Sequence, residues 1–135
     1  MQDKLDIGII DTKTSNIQSV VYACKKNNIN VNIINEERNT DNFKGLIIPG
    51  VGSFNVVMEN LRRRKIDKTI LEFIDTGKPL LFICVGLQIL FESSEEYEHT
   101  QGLGIIKGKV KKIPTIYNDK IRNVPIIGWN NIKLK

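Results

Sequence analysis

The sequence predicts an α/β fold: an open, mostly parallel sheet with helices on both faces and short β segments at the C-terminal end. Two observations predict it. Short apolar runs of strand length alternate with stretches whose apolar residues recur at helical spacing. Such alternation implies right-handed crossovers between parallel strands, which leaves both faces of the sheet to be covered by helices.

The elements follow in order. "LDIGII" (5–10) is the first strand, and "SNIQSVVYACKK" puts Ile17, Val20, Val21 and Cys24 on one helical face. "NVNII" and "GLIIP" are two further strands. "SFNVVMENLRRR" repeats the helical pattern with Phe54, Val57, Met58 and Leu61, and Ser53 is its expected N-cap. "IDKTILEFIDTGKP" is a helix stopped by Gly77 and Pro79, and "LLFI" is expected to be a buried strand. The chain should become helical again directly after Cys84. Beyond Glu98, "GLGIIKGKVKKI" and "VPIIGWNNIKLK" read as short strands forming an edge hairpin or a second layer. No internal repeat, low-complexity stretch or linker divides residues 1–135, which are expected to form one domain.

Composition narrows the class. With 41% hydrophobic and 26% charged residues the chain is globular, and no apolar run approaches the roughly 20 residues that span a membrane. The first residues lack a basic segment followed by an apolar core, so a cytoplasmic protein is expected. Two cysteines, Cys24 and Cys84, are too few for a disulfide framework and are expected as free thiols. The net charge of +5 raises the question of nucleic acid, and "RRRK" (62–65) is the densest basic cluster. It falls at a helix end, where cations oppose the negative pole of the macrodipole, and no stacking aromatics are interleaved. A solvated helix end explains it, and no nucleic-acid partner is expected.

Three features carry possible chemistry. Cys84 lies where an apolar strand must turn into a helix, at the end of the strand where open parallel sheets bind ligands. A nucleophile on such a turn is pushed into the crevice, with Gly86 letting the next helix pack close. N–H groups at a helix start also favour a thiolate. The alternative is that Cys84 is a small core residue, as Cys24 on its apolar helix face is expected to be. The second feature is "PGVGSF" (49–54), whose glycines could turn an N–H toward an oxyanion, although Pro-Gly is first of all a turn signal. The third is Gln88, one helical turn beyond Cys84, which could contact a ligand or be solvated.

"PGVGSFNVVMENL", "GKPLLFICVGLQILFESSEE", "GLGIIKGKV" and "VPIIGWN", in this order and spacing, resemble the glutamine amidotransferase subunit of imidazole glycerol phosphate synthase, a class I (triad) amidotransferase. The resemblance covers nearly the whole chain. It implies that Cys84 is the nucleophile that attacks the side-chain amide of glutamine, forming a glutamyl thioester and releasing ammonia. It further implies an oxyanion hole from the backbone of Val51, Gly52 and Val85, and a glutamine site at Gly50, Gly52 and Gln88. The implied partner is a (β/α)8-barrel cyclase in histidine biosynthesis that receives the ammonia, with Asn16 and Trp129 near the interface. No metal or organic cofactor is implied.

The sequence departs from the family pattern at "KTS" in the first loop, at Phe82, where the nucleophile motif usually begins with Gly, and at "PIIGWN". These changes leave open an amidotransferase subunit for another biosynthesis, such as the amination of surface sugars. The family's catalytic histidine and glutamate belong to a further "HPE"-type segment. The chain is therefore expected to be C-terminally incomplete and inactive by itself, or to be a short non-catalytic relative acting as a binding module. His99, the only histidine, is expected to be solvated in a polar loop.

Overall fold

The computed structural model describes residues 6–121, 123–129 and 131–133. Its central element is a four-stranded parallel sheet in the order β2-β1-β3-β4, built from β1 (Asp6–Ile10), β2 (Asn30–Ile34), β3 (Gly45–Gly50) and β4 (Leu80–Cys84). Period-two alternation sends successive residues to opposite faces. Ile10, Leu46 and Ile48 meet α2 (Phe54–Arg63) and α3 (Ile66–Asp75), whereas Ile9 and Ile47 meet α1 (Ile17–Lys26).

The helical spacing read from the sequence holds in three dimensions. Phe54, Val57, Met58 and Leu61 of α2 and Ile66, Ile70 and Phe73 of α3 have no exposed surface. Full burial of such side chains is worth about 1.5–3 kcal/mol each, so this face is the main source of stability. On α1, Val21 and Cys24 are buried while Ile17 and Val20 pack at the margin, which makes Cys24 the small core residue expected.

Two sequence expectations need correction, for β4 and for the last segment, and two others are made specific. β4 is not a buried strand: α1 lies over β1 and β2, so Leu81 and Ile83, which point to the α1 face, remain 54% and 40% exposed. The helix after Cys84, α4 (Val85–Gln88), lasts one turn. The chain then enters β5 (Phe91–Ser94), because the carbonyls of residues 89–92 accept hydrogen bonds from the N–H groups of residues 102–106. β5 pairs antiparallel with β6 (Thr100–Gln101) and parallel with β7 (Ile106–Val110), giving a second sheet, the latter of the two arrangements expected after Glu98. Finally, "VPIIGWNNIKLK" holds no strand among its described residues, whereas β8 (Ile116–Tyr117) and β9 (Lys120–Ile121) form a hairpin over a turn at Asn118 and Asp119.

The basic cluster at 62–65 is only partly solvated. Arg64 donates from Nε to the carbonyl of Asn60 (3.0 Å) and from Nη1 to that of Asn35 (3.1 Å), which fastens the α2–α3 corner to the end of β2. Arg62 donates to the carbonyl of Gln101 (2.8 Å). Among the described residues, no helix is long and apolar enough to cross a membrane.

Candidate functional site

The site forms where β3 and β4 end side by side. Gly50 and Cys84 are register partners on adjacent parallel strands, so the chain leaves the sheet twice at the same level. From β3 it passes through residues 51–53 into α2, and from β4 it enters α4 with no connecting loop.

Cys84 sits on this joint at φ 56°, ψ −119°, a backbone conformation that L-residues rarely adopt, and its side chain is exposed. Strain of this kind costs on the order of 1–3 kcal/mol and persists only where the surroundings fix it. Here they do. A Cβ on Gly86 would overlap the carbonyl oxygen of Ile48, so α4 lies directly on β3. Val85, the first residue of α4, is buried beneath the joint at 4% exposure. α4 is a single turn, so it carries little macrodipole and leaves its first N–H groups free of helical partners.

Across from the thiol, Val51 is half exposed and Gly52 adopts φ 90°. That conformation is open to glycine and turns the local backbone away from its strand direction. Ser53 occupies the N-cap position of α2 with an extended backbone, yet its side chain makes no capping bond. The carboxylate of Glu96 takes its place: Oε2 accepts the N–H of Phe54 at 2.9 Å.

Gln88, half-buried at the end of α4, lines a cavity of about 310 Å³ with Glu96, Tyr97, Val110, Lys111 and Lys112. Cys84, Gly50, Val51 and Gly52 are not among its walls; the cavity adjoins the joint through α4. The structure therefore brings Gly50, Cys84 and Val85 together at the strand ends and places Gln88 in a neighbouring hollow. Sequence reasoning missed Glu96 and the two lysines. The cap joins residues 42 apart, and no local spacing announces it. A wider groove of about 510 Å³, lined by Asn55, Glu59, Arg62, Arg63, Glu98 and Thr100, contains none of the expected site residues.

The residues expected at a partner interface are far apart in role. Asn16 caps α1, its Oδ1 accepting the Ser19 N–H at 3.4 Å, in a loop where Thr12 is fully buried. In the same loop, Asp11 accepts from the Lys13 N–H (2.9 Å) and pairs with its ammonium (2.7 Å). Burial pushes the Asp11 carboxyl up, but these hydrogen bonds and the charges of Lys13 and Arg64 outweigh it and hold it below the usual carboxylate range. Trp129 is fully exposed. His99 is exposed in the turn leading to β6. No cluster of side chains able to hold a metal occurs among the described residues.

A thiol presented on a strained strand-to-helix joint above a parallel sheet has the backbone arrangement of a nucleophile elbow in an α/β domain. Similarity to known proteins makes this more specific. The model of the CobB/CobQ-like glutamine amidotransferase domain matches residues 7–120, and the chain belongs to that family. A curated relative from Prochlorococcus marinus, an imidazole glycerol phosphate synthase subunit HisH, is 44% identical over 128 residues, which are 95% of this chain and 58% of the relative. HisH from a Geobacillus species is 42% identical over 127 residues, 93% of this chain and 60% of that one. The chain thus spans about three fifths of the length of these relatives. Among solved structures, a glutamine amidotransferase superposes with a TM-score of 0.64 at 21% identity, over 78% of this chain and 55% of the other. A putative peptidase E protein from Listeria monocytogenes gives 0.60 at 15%, over 78% and 66%. At these identities the likeness concerns the fold, and it agrees with the α/β sheet expected from the sequence.

Proposed function

We propose that the chain carries the glutamine-hydrolysing centre of an amidotransferase subunit that supplies ammonia to a synthase in histidine biosynthesis. The observation that carries this reading is Cys84, strained and exposed, in register with Gly50 at the strand ends. The names of the relatives favour histidine biosynthesis over other aminations.

In this reading the Cys84 thiolate attacks the side-chain amide carbon of glutamine. An S–C bond forms, and the carbonyl oxygen takes up the negative charge. The N–H groups of Val85 and of the Val51–Gly52 turn receive that oxyanion, a contribution worth roughly 10²- to 10³-fold per donor. Collapse of the intermediate breaks the C–N bond, and ammonia leaves once its nitrogen is protonated. Water then hydrolyses the thioester, releasing glutamate and the thiol. Gln88 holds the amino-acid end of the substrate. The cavity it lines also carries one carboxylate and two ammonium groups, which suits a zwitterion. The ammonia passes to a (β/α)8-barrel cyclase subunit that docks near Asn16 and Trp129.

Proton transfer requires an imidazole or carboxylate within about 3 Å of the reacting atoms. His99 lies exposed ahead of β6, and this reading gives it no part in proton transfer. This reading assigns the general acid and base to groups other than Cys84, Gln88 and His99. The test is glutamine-dependent ammonia release by the chain joined to the C-terminal part of a HisH relative, with and without a cyclase subunit. Release that depends on Cys84 supports the reading; a Cys84→Ser variant as active as the parent would end it.

A further inference from the structure

We infer that Glu96 is a positioning residue for the oxyanion turn, a role that rests on the glutaminase reading above. Residues 51–53 bridge two fixed points. One is Gly50, held in the β3–β4 ladder opposite Cys84. The other is Phe54, whose ring is fully buried and whose N–H is bound by Glu96 Oε2 at 2.9 Å. Between them lie Val51, half exposed, and Gly52 at φ 90° with open space around it. Gly52 is exposed and its N–H makes no backbone hydrogen bond among the described residues, so the direction of that N–H is set by the two anchors.

The second anchor is the one a side chain supplies. Ser53 makes no capping bond, and α2 has no acidic residue in its first turn, so the carboxylate at this helix start comes from another part of the chain. Glu96 is itself held. Its N–H donates to Oγ of Ser94, which is buried at the end of β5, and the N–H of Glu95 donates to the carbonyl of Val110. The same carboxylate lines the cavity beside Gln88. One side chain thereby joins the hollow that takes the substrate to the turn that takes the oxyanion, and a ligand contacting Glu96 bears on the position of both.

The test compares two thiol reagents on the 135-residue chain and on its Glu96→Ala, Glu96→Asp and Glu96→Gln variants. A chloroketone analogue of glutamine develops negative charge on its carbonyl oxygen as the thiolate adds; iodoacetamide is attacked by direct displacement and does not. For each variant, saturation kinetics separate the half-saturating concentration of the chloroketone from its limiting rate at Cys84. Ala removes the acceptor and Asp is too short to reach Phe54, so both should lower the limiting rate about tenfold or more while iodoacetamide reacts within about twofold of the parent. Gln retains an acceptor oxygen and should restore the limiting rate, even if loss of charge raises the half-saturating concentration. A limiting rate in the Ala and Asp variants equal to the parent's, or an equal fall with both reagents, overturns the inference and leaves the glutaminase reading standing. Failure of the parent's Cys84 to react with the chloroketone ahead of Cys24 would instead remove the glutaminase reading itself.

Discussion

A methyl group added to Gly50 would stand 2.9 Å from the backbone nitrogen of Gly86. The end of β3 and the start of α4 are thus in backbone contact, with Cys84 held at the joint between β4 and α4. A Cβ added to Gly86 would likewise overlap the main-chain carbonyl oxygen of Ile48, which cannot turn aside as the end of a side chain can. Gly86→Ala is therefore expected to destabilise the fold by about 1–3 kcal/mol and to slow Cys84 labelling by a glutamine analogue. Denaturant midpoints and labelling rates check this; a variant matching the parent in both would show that the contact is slack.

Cys84 is exposed and Cys24 is 7% exposed against Ile9 and Val21. A glutamine-mimicking electrophile should modify Cys84 in the folded chain and leave Cys24 intact until denaturant is added. Peptide mapping distinguishes the two, and preferential modification of Cys24 would refute the nucleophile assignment.

At Gly52 the constraint on a side chain is conformational rather than steric. A Cβ there meets nothing within 4 Å, so a β-branched residue would not collide; it would resist φ 90°. In the chain completed with a relative's C-terminal part, Gly52→Val should lower turnover on the order of 10²-fold if one oxyanion donor is lost. Gln88→Ala should mainly raise KM. Steady-state kinetics unchanged in both variants would remove the proposed site.

The pH dependence of stability should carry a signature of Asp11. Its folded carboxyl is held below the usual range, so its contribution is fully present above the unfolded pKa of about 3.9 and is lost as pH falls through the lower folded value. Asp11→Asn should flatten the acid limb of the stability profile below about pH 4. Denaturation curves of parent and variant with the same pH slope in that window would show that the Lys13 contacts contribute nothing.

The 135-residue chain alone should form a labelled adduct at Cys84 yet release no ammonia catalytically from glutamine. His99→Ala should leave both observations unchanged, since the imidazole is exposed ahead of β6. Turnover by the chain alone that disappears on changing His99 would make that residue the base after all.

Which features were legible in the sequence follows from how far apart the deciding atoms are. Periods of 2 and 3.6 are local, so the four parallel strands, the apolar faces of α1, α2 and α3, and the placing of Cys84 at a strand-to-helix joint could all be read along the chain. The need for Gly86 was legible as well, because a close approach behind an elbow is a property of that turn. Tertiary structure decided the rest. β5 exists because residues 102–106 take up the carbonyls of residues 89–92, which no local pattern around Phe91 signals. Leu81 and Ile83 are exposed because α1 lies over β1 and β2, although an apolar run reads the same whether or not it is covered. The cap on α2 comes from Glu96 rather than from Ser53 because a carboxylate 42 residues away reaches the Phe54 N–H once the two sheets are in place. Local sequence sets which conformations a segment favours, and only folding determines which distant groups satisfy its hydrogen bonds and cover its apolar surface.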